Sequence, residues 1–220
     1  MHAAELIYTA LFNHFGPQSW WPADSPFEVM VGAVLTQNTN WVNVSRAIDI
    51  LKKEHLLSPT LLQEIPLEVL AEKIQPSGYY NLKAKRLKNL LALIRKECGH
   101  SDNLDSFFSQ DSDVLREKLL TVKGIGPETA DSILLYAAEK PVFVVDTYTH
   151  RILSRHGLIG EESSYQEIQE FFMDNLPDET SLFNEYHALI VQLGKEFCKK
   201  RRPRCKECPL REFEPIFLEE

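Results

Sequence analysis

The sequence predicts an all-α protein, and three observations predict it. Apolar residues recur at three- and four-residue spacing along most of the chain, the period of a helix with one buried face. Polar or proline-marked breaks divide that pattern into segments of roughly 8 to 20 residues, which is helix length. The one strand-like run, Val142-Phe143-Val144-Val145, is too short and solitary for a sheet, because a strand's backbone groups need partner strands. No unit of roughly 20 to 50 residues repeats, which excludes a solenoid.

Taken in order, Leu6, Ile7, Ala10, Leu11 and Phe15 form the face of a first helix that Gly16-Pro17 ends. Another starts at Thr39-Asn40 and carries Ile48 and Leu51. Breaks at Ser58-Pro59, Ile65-Pro66 and Gln75-Pro76-Ser77-Gly78 precede a helix marked by Leu87, Leu90, Leu91 and Ile94, which runs to Gly99-His100-Ser101-Asp102. Two helices then meet through Lys123-Gly124-Ile125-Gly126-Pro127. Glycine tolerates positive φ and lets the backbone close on a ligand, and Pro127 suits a first helical turn, whose free N–H groups attract phosphate. Without a ligand the same turn is an ordinary interhelical connection. Val142 to Val145 reads as a buried link to Asp146 and Thr147-Tyr148-Thr149-His150-Arg151-Ile152, and Leu176-Pro177-Asp178 is the last break. Roughly ten helices result.

The 220 residues, 44% hydrophobic and 25% charged, suffice for a sizeable core in one to two domains and exclude a mini-protein or a disordered polymer. No apolar stretch approaches the roughly 18 residues of a membrane span. Met1-His2-Ala3-Ala4-Glu5 lacks the basic opening of a secretory signal. A cytoplasmic protein with no membrane partner is expected. The net charge of −8 disfavours a polyanionic partner, but its distribution does not. Lys83, Lys85, Arg86, Lys88, Arg95 and Lys96 fall in a stretch with no acid, and residues 195 to 206 hold seven basic residues against Glu196 alone. Either stripe by itself is equally a solvated face. Cys198, Cys205 and Cys208 crowd into eleven residues, which suits a metal site better than a disulfide framework.

Asp146 has two readings. It is a good helix N-cap, and a cap position also keeps a carboxylate ionised where it can stabilise developing positive charge. The two roles can coexist.

These residues resemble the helix-hairpin-helix (HhH-GPD) DNA glycosylases, in particular the endonuclease III-like branch. The likeness rests on Leu35-Thr36-Gln37-Asn38-Thr39, Gly78-Tyr79-Tyr80-Asn81-Leu82-Lys83-Ala84-Lys85, the hairpin, Val145-Asp146-Thr147 and the C-terminal cysteine spacing, and spans nearly the whole chain. It implies two helical domains, 24–135 and 1–23 plus 136–220, with a groove for damaged double-stranded DNA between them, in a monomer. Lys123, Gly124, Ile125 and Gly126 would grip the backbone, with Lys83 a further DNA contact. Gln37 would fill the gap left by an extruded nucleotide. Asp146 would assist cleavage of the bond between sugar and base, since breaking it creates an oxocarbenium-like sugar.

Trp20-Trp21-Pro22, Trp41 and the hairpin with Glu128 look like the 3-methyladenine glycosylases of this branch. In that likeness Trp20, Trp21, Pro22 and Trp41 line a pocket for a flipped, alkylated purine. Glu128 stands where bifunctional members carry a nucleophilic lysine, and a carboxylate forms no Schiff base. A pocket lysine of some relatives is replaced by Leu189. A monofunctional alkylpurine glycosylase is therefore expected, against a bifunctional oxidised-pyrimidine glycosylase/lyase or a non-catalytic DNA-binding module. Cys198, Cys205 and Cys208 match three positions of the family's [4Fe-4S] loop, and Glu214 stands at the fourth. A cluster with Glu214 as fourth ligand, a zinc ion, and no metal remain open.

Overall fold

The computed structural model describes residues 2–213, whose regular structure is entirely helical. Two compact units are present, Met1–Pro22 with Pro141–Glu220, and Ala23–Lys140. In chain order, α1 (Ala3–Phe15) opens the first unit. The second holds α2 (Pro26–Leu35), α3 (Trp41–Lys53), α4 (Pro59–Glu64), α5 (Leu67–Lys73), a 3-10 turn (Gln75–Ser77), α6 (Tyr80–Cys98), α7 (Asp105–Phe108), α8 (Ser112–Leu120) and α9 (Pro127–Tyr136). The chain returns to the first unit with α10 (Thr147–Arg155), α11 (Tyr165–Met173), α12 (Thr180–Glu196) and a 3-10 turn at Cys205–Glu207.

The second unit is built around α2 and α9, which pack together. Every residue of α2 from Phe27 to Leu35 is buried, as is every residue of α9 from Thr129 to Leu135. Helix α2 is apolar nearly all round, with only Glu28 polar among those residues, while α9 encloses Thr129, Asp131 and Ser132 as well. Ser25 and Ser58 start α2 and α4 by accepting the N–H groups of Glu28 and Leu61, each followed by a proline whose fixed φ suits the first turn. Each such cap contributes about 1 kcal/mol. Across the hairpin, Arg116 of α8 grips the fully buried Asp131 of α9 with two bonds, at 2.6 and 3.1 Å.

In the first unit, Phe143 stacks on Phe172 at 3.8 Å and meets Phe183 and Tyr186 edge-on. The Tyr186 hydroxyl donates to Ala4 O across 2.8 Å, tying α12 to α1. Val142 to Val145 is a buried connection, as expected. Side chains replace a partner strand: Gln169 donates to Phe143 O at 2.7 Å, and the Tyr165 hydroxyl accepts the Val145 N–H.

The structure corrects the reading on two points. Twelve α-helices occur among the described residues, not ten, because α4, α5 and α7 are too short to display a period. The hairpin unit also runs to Lys140, past the expected end at 135. Helix α9 reaches Tyr136, and the Ala138 and Lys140 N–H groups bond back to Ile133 O and Leu134 O. No helix among the described residues is long and apolar enough to cross a membrane.

Candidate active site

Asp146 is the N-cap of α10, and its two oxygens have separate duties. Oδ1 accepts the Tyr148 N–H (2.9 Å), the Thr149 N–H (2.8 Å) and the Thr149 hydroxyl (2.9 Å). Oδ2 takes no part in the cap and lies 3.7 Å from His187 Nε2. Burial pushes the carboxyl up, but the His187 imidazole and the Thr149 N–H and hydroxyl outweigh it and hold Asp146 below the ordinary carboxylate range. Oδ2 is thus the carboxylate oxygen left outside the cap, on a side chain 11% exposed.

His187 belongs to α12, which packs on α10 and carries Gly194 in that contact. Gly194 is glycine for contact: a Cβ there would stand 2.7 Å from Tyr148 Cγ and 2.9 Å from its Cβ. Lys195 lies two turns past His187, its ammonium 5.5 Å from the Trp20 ring centroid. Burial pulls this lysine below its ordinary value, while the Asp146 carboxylate acts the other way. Trp20 and Trp21 are half-buried and pack edge to face at 5.5 Å, followed by the exposed Pro22. These three belong to the first unit, and Trp41, the first residue of α3, to the second. Leu189 is wholly buried in the core. Sequence reasoning missed His187 and Lys195; their eight-residue separation, two helical turns, was the available signal.

In the second unit the hairpin places Lys123, Gly126, Pro127 and Glu128 at the surface. Gly124 has φ +101°, and a Cβ there would approach Arg86 Cδ and Nε to 3.0 Å. The N-cap of α9 is Gly126, which offers no side chain to the free N–H groups of that helix. Asn89 donates to Lys123 O at 2.9 Å and steadies the turn. Ile125 points into the core, so only its backbone is available to a ligand. Gln37 is folded into the hairpin, donating to Gly124 O (3.1 Å) and Thr129 Oγ1 (2.9 Å) and accepting from Arg86. To fill a gap in a duplex it must exchange those bonds. Beside it, Tyr79 is 70% exposed with φ +46°, an exposed aromatic that periodicity did not single out.

Lys83 is corrected outright. Expected as a DNA contact, it is 1% exposed, and its ammonium donates to Leu35 O and Ser77 O at 2.7 Å each. It bolts α6 to the end of α2, because those terminal carbonyls lack helical donors. Lys83→Met strands both carbonyls and lowers stability by about 2–4 kcal/mol. Burial, with the Arg86 guanidinium, brings Lys83 from 10.5 down to about 8. Between those values the unfolded chain binds a proton that the fold does not, so wild-type stability relative to the Met variant rises with pH. Urea melts at about pH 7 and about pH 10 measure this difference; a gap that narrows with pH contradicts it.

The cysteine loop is held by arginines. Arg151 Nε donates to Cys198 O at 2.8 Å, and Arg155 donates to Cys198 Sγ (3.3 Å), Lys199 O (2.9 Å) and Lys200 O (3.2 Å). Cys198 and Cys208 are buried and Cys205 exposed. Burial pushes the Cys208 thiol up, the Leu210 N–H opposing and Cys198 and Cys205 adding. Among the described residues no three His, Cys, Asp or Glu side chains form a group able to hold a metal. Glu214 lies outside the described residues. Cys198 and Cys205 lie near enough to Cys208 to act on its thiol, so these three would be the residues to hold a cluster, and no chemistry is routed through one.

Comparison with known proteins agrees with this architecture. A Methanocaldococcus jannaschii protein provisionally named a DNA repair glycosylase is 48% identical over 207 residues, covering 94% of this chain and 93% of its own length. A 3-methyladenine DNA glycosylase of H. pylori, solved bound to 1,N6-ethenoadenine, is similar with TM-score 0.75 and 31% identity, over 89% of this chain and 98% of that one. An endonuclease III–DNA complex shares the fold at TM-score 0.80 and 22% identity, over 98% and 96% of the two chains. The profile of the HhH-GPD superfamily, base excision DNA repair proteins, matches residues 31–178. That match runs from the middle of α2 to the segment before α12 and takes in both the hairpin and Asp146, so the chain belongs to the HhH-GPD superfamily of base excision DNA repair proteins, and is a DNA glycosylase.

Proposed function

We propose that this glycosylase is monofunctional and hydrolyses the N-glycosidic bond of alkylated purines such as 3-methyladenine in double-stranded DNA. The observation that carries the reading is Glu128, exposed on the first turn of α9 where a lysine nucleophile would be needed. A carboxylate there supplies no amine for a Schiff base. Water is then the attacking group. The bond from C1′ to the base breaks with its electron pair leaving on the base, Asp146 Oδ2 opposes the positive charge that develops on the sugar, and the water oxygen bonds to C1′ as it gives its proton to that carboxylate. The solved relative that holds 1,N6-ethenoadenine supports a purine-sized pocket, and the paired tryptophans 20 and 21 offer faces on which a flipped base can stack. The hairpin N–H groups and Lys123 supply phosphate contacts.

One observation favours the bifunctional reading: Lys195 is an amine in the field of Asp146. Its Nζ lies over the Trp20 ring, 5.5 Å from the centroid, and the trapping experiment reads directly whether it attacks the sugar. The test is incubation with methylated duplex DNA, identification of the released bases, and borohydride trapping. Free methylated purines with intact strands and no protein–DNA adduct are expected. An adduct that disappears in Lys195→Met replaces the proposal with the lyase reading, and release of oxidised pyrimidines alone overturns the substrate class.

A further inference from the structure

The division of labour at Asp146 leaves one question of geometry. Oδ1 is immobilised by three hydrogen bonds from α10 itself. Nothing in α10 fixes Oδ2, the oxygen free to face a reacting sugar. The group that meets it comes from another helix: His187 Nε2, 3.7 Å away, with side chains 8% and 11% exposed for His187 and Asp146. A ring this enclosed has few orientations, and its own helix is pinned at Tyr186, the preceding residue, by the 2.8 Å bond to Ala4 O. Seven residues past His187, Gly194 closes α12 against the Tyr148 ring, which fixes α12 against α10 on the C-terminal side of the pair. The distance exceeds a hydrogen bond by a few tenths of an ångström, and such separations commonly tighten when substrate binds.

We propose that His187 is a positioning residue for base excision, fixing Asp146 Oδ2 as the working oxygen through a direct contact from α12. This rests on Asp146 being the excising carboxylate. A carboxylate held at one oxygen only can rock about that anchor. A contact at the second oxygen removes the motion, and a displacement of about 1 Å at a reacting group costs on the order of a hundredfold in rate. The remaining charged or titratable groups facing Asp146 are few. Lys195 of α12 adds a positive field, and Tyr165 of α11 bonds the Val145 N–H one residue earlier.

The experiment is single-turnover base release from methylated duplex DNA across a pH series, with DNA affinity and melting temperature recorded in parallel, for wild type, His187→Leu, His187→Gln and Asp146→Asn. His187→Leu is expected to lower the rate about tenfold to a hundredfold without weakening DNA binding. Its acid limb should move toward neutral pH, because burial pushes Asp146 up once the imidazole that opposes it is gone. His187→Gln, which keeps a donor of similar reach, should recover a substantial part of the rate. A His187→Leu rate equal to wild type overturns the proposal. So does an equal loss in both His187 variants with a lowered melting temperature and an unmoved acid limb, which marks a packing residue. If Asp146→Asn excises like wild type, the reading of Asp146 itself fails; if only that variant is inactive, the failure is confined to His187.

Discussion

Asp146→Asn lowers the rate of base release by about a hundredfold to a thousandfold and leaves duplex affinity within about twofold. The choice of asparagine isolates charge from architecture. Asparagine is as good an N-cap as aspartate, and its amide oxygen can accept the Tyr148 and Thr149 N–H groups as Oδ1 does now. Helix α10 therefore still starts at Thr147, and the melting temperature should barely change. The positive charge on the sugar, which the carboxylate opposes, appears only as the glycosidic bond breaks. The effect of the substitution falls on the transition state. The phosphate contacts proposed for the hairpin do not use this carboxylate, so binding is expected to survive. Single-turnover kinetics with a parallel binding titration check the split. Undiminished release would reduce Asp146 to a cap.

Gly194→Val is expected to lower stability by about 3 kcal/mol and to slow excision as well. On helix propensity alone the change is neutral or slightly favourable, since glycine is a poor helix former. Packing decides otherwise. A Cβ at 194 falls 2.7 Å from Tyr148 Cγ and 2.9 Å from Tyr148 Cβ, and the latter is the root of the side chain, which cannot swing aside without moving α10. Two further methyl carbons deepen the clash. Arg151, whose guanidinium sits 4.9 Å from the Tyr148 ring centroid while it holds Cys198 O, is displaced with it. Urea unfolding measures the first effect and single-turnover release the second; a variant as stable and as fast as wild type would show that α10 and α12 have room to spare.

What was legible in the sequence was whatever repeats or caps locally. The amphipathic faces of α1, α3 and α6, the hairpin glycines, Pro127 at the start of α9 and Asp146 as N-cap all follow from spacing and residue type. Helix α2 was legible only as a motif, because a helix buried on every side shows no period. Lys83 was misplaced for a related reason. A lysine in a basic stripe is ordinarily solvated, and only the carbonyls of Leu35 and Ser77, one of them 48 positions away, reveal that this one is enclosed. His187 was missed for a similar reason, its spacing from Lys195 being a weak local hint. Forty-one residues separate it from Asp146, and a histidine within an apolar helix reads as core until the facing helix is known.

The contact between Gly124 and Arg86 has a bearing on how such a chain can drift over generations. At φ +101° and with Arg86 Cδ and Nε 3.0 Å from where a Cβ would stand, position 124 admits a larger residue only after position 86 has shrunk. Yet a shorter residue at 86 removes the donor that Gln37 accepts from, loosening the amide that also ties Gly124 O and Thr129. The three positions are thus inherited as a set: a substitution at any one is tolerated or rejected according to what the other two already are. Among descendants of this sequence, 37, 86 and 124 should change together or not at all.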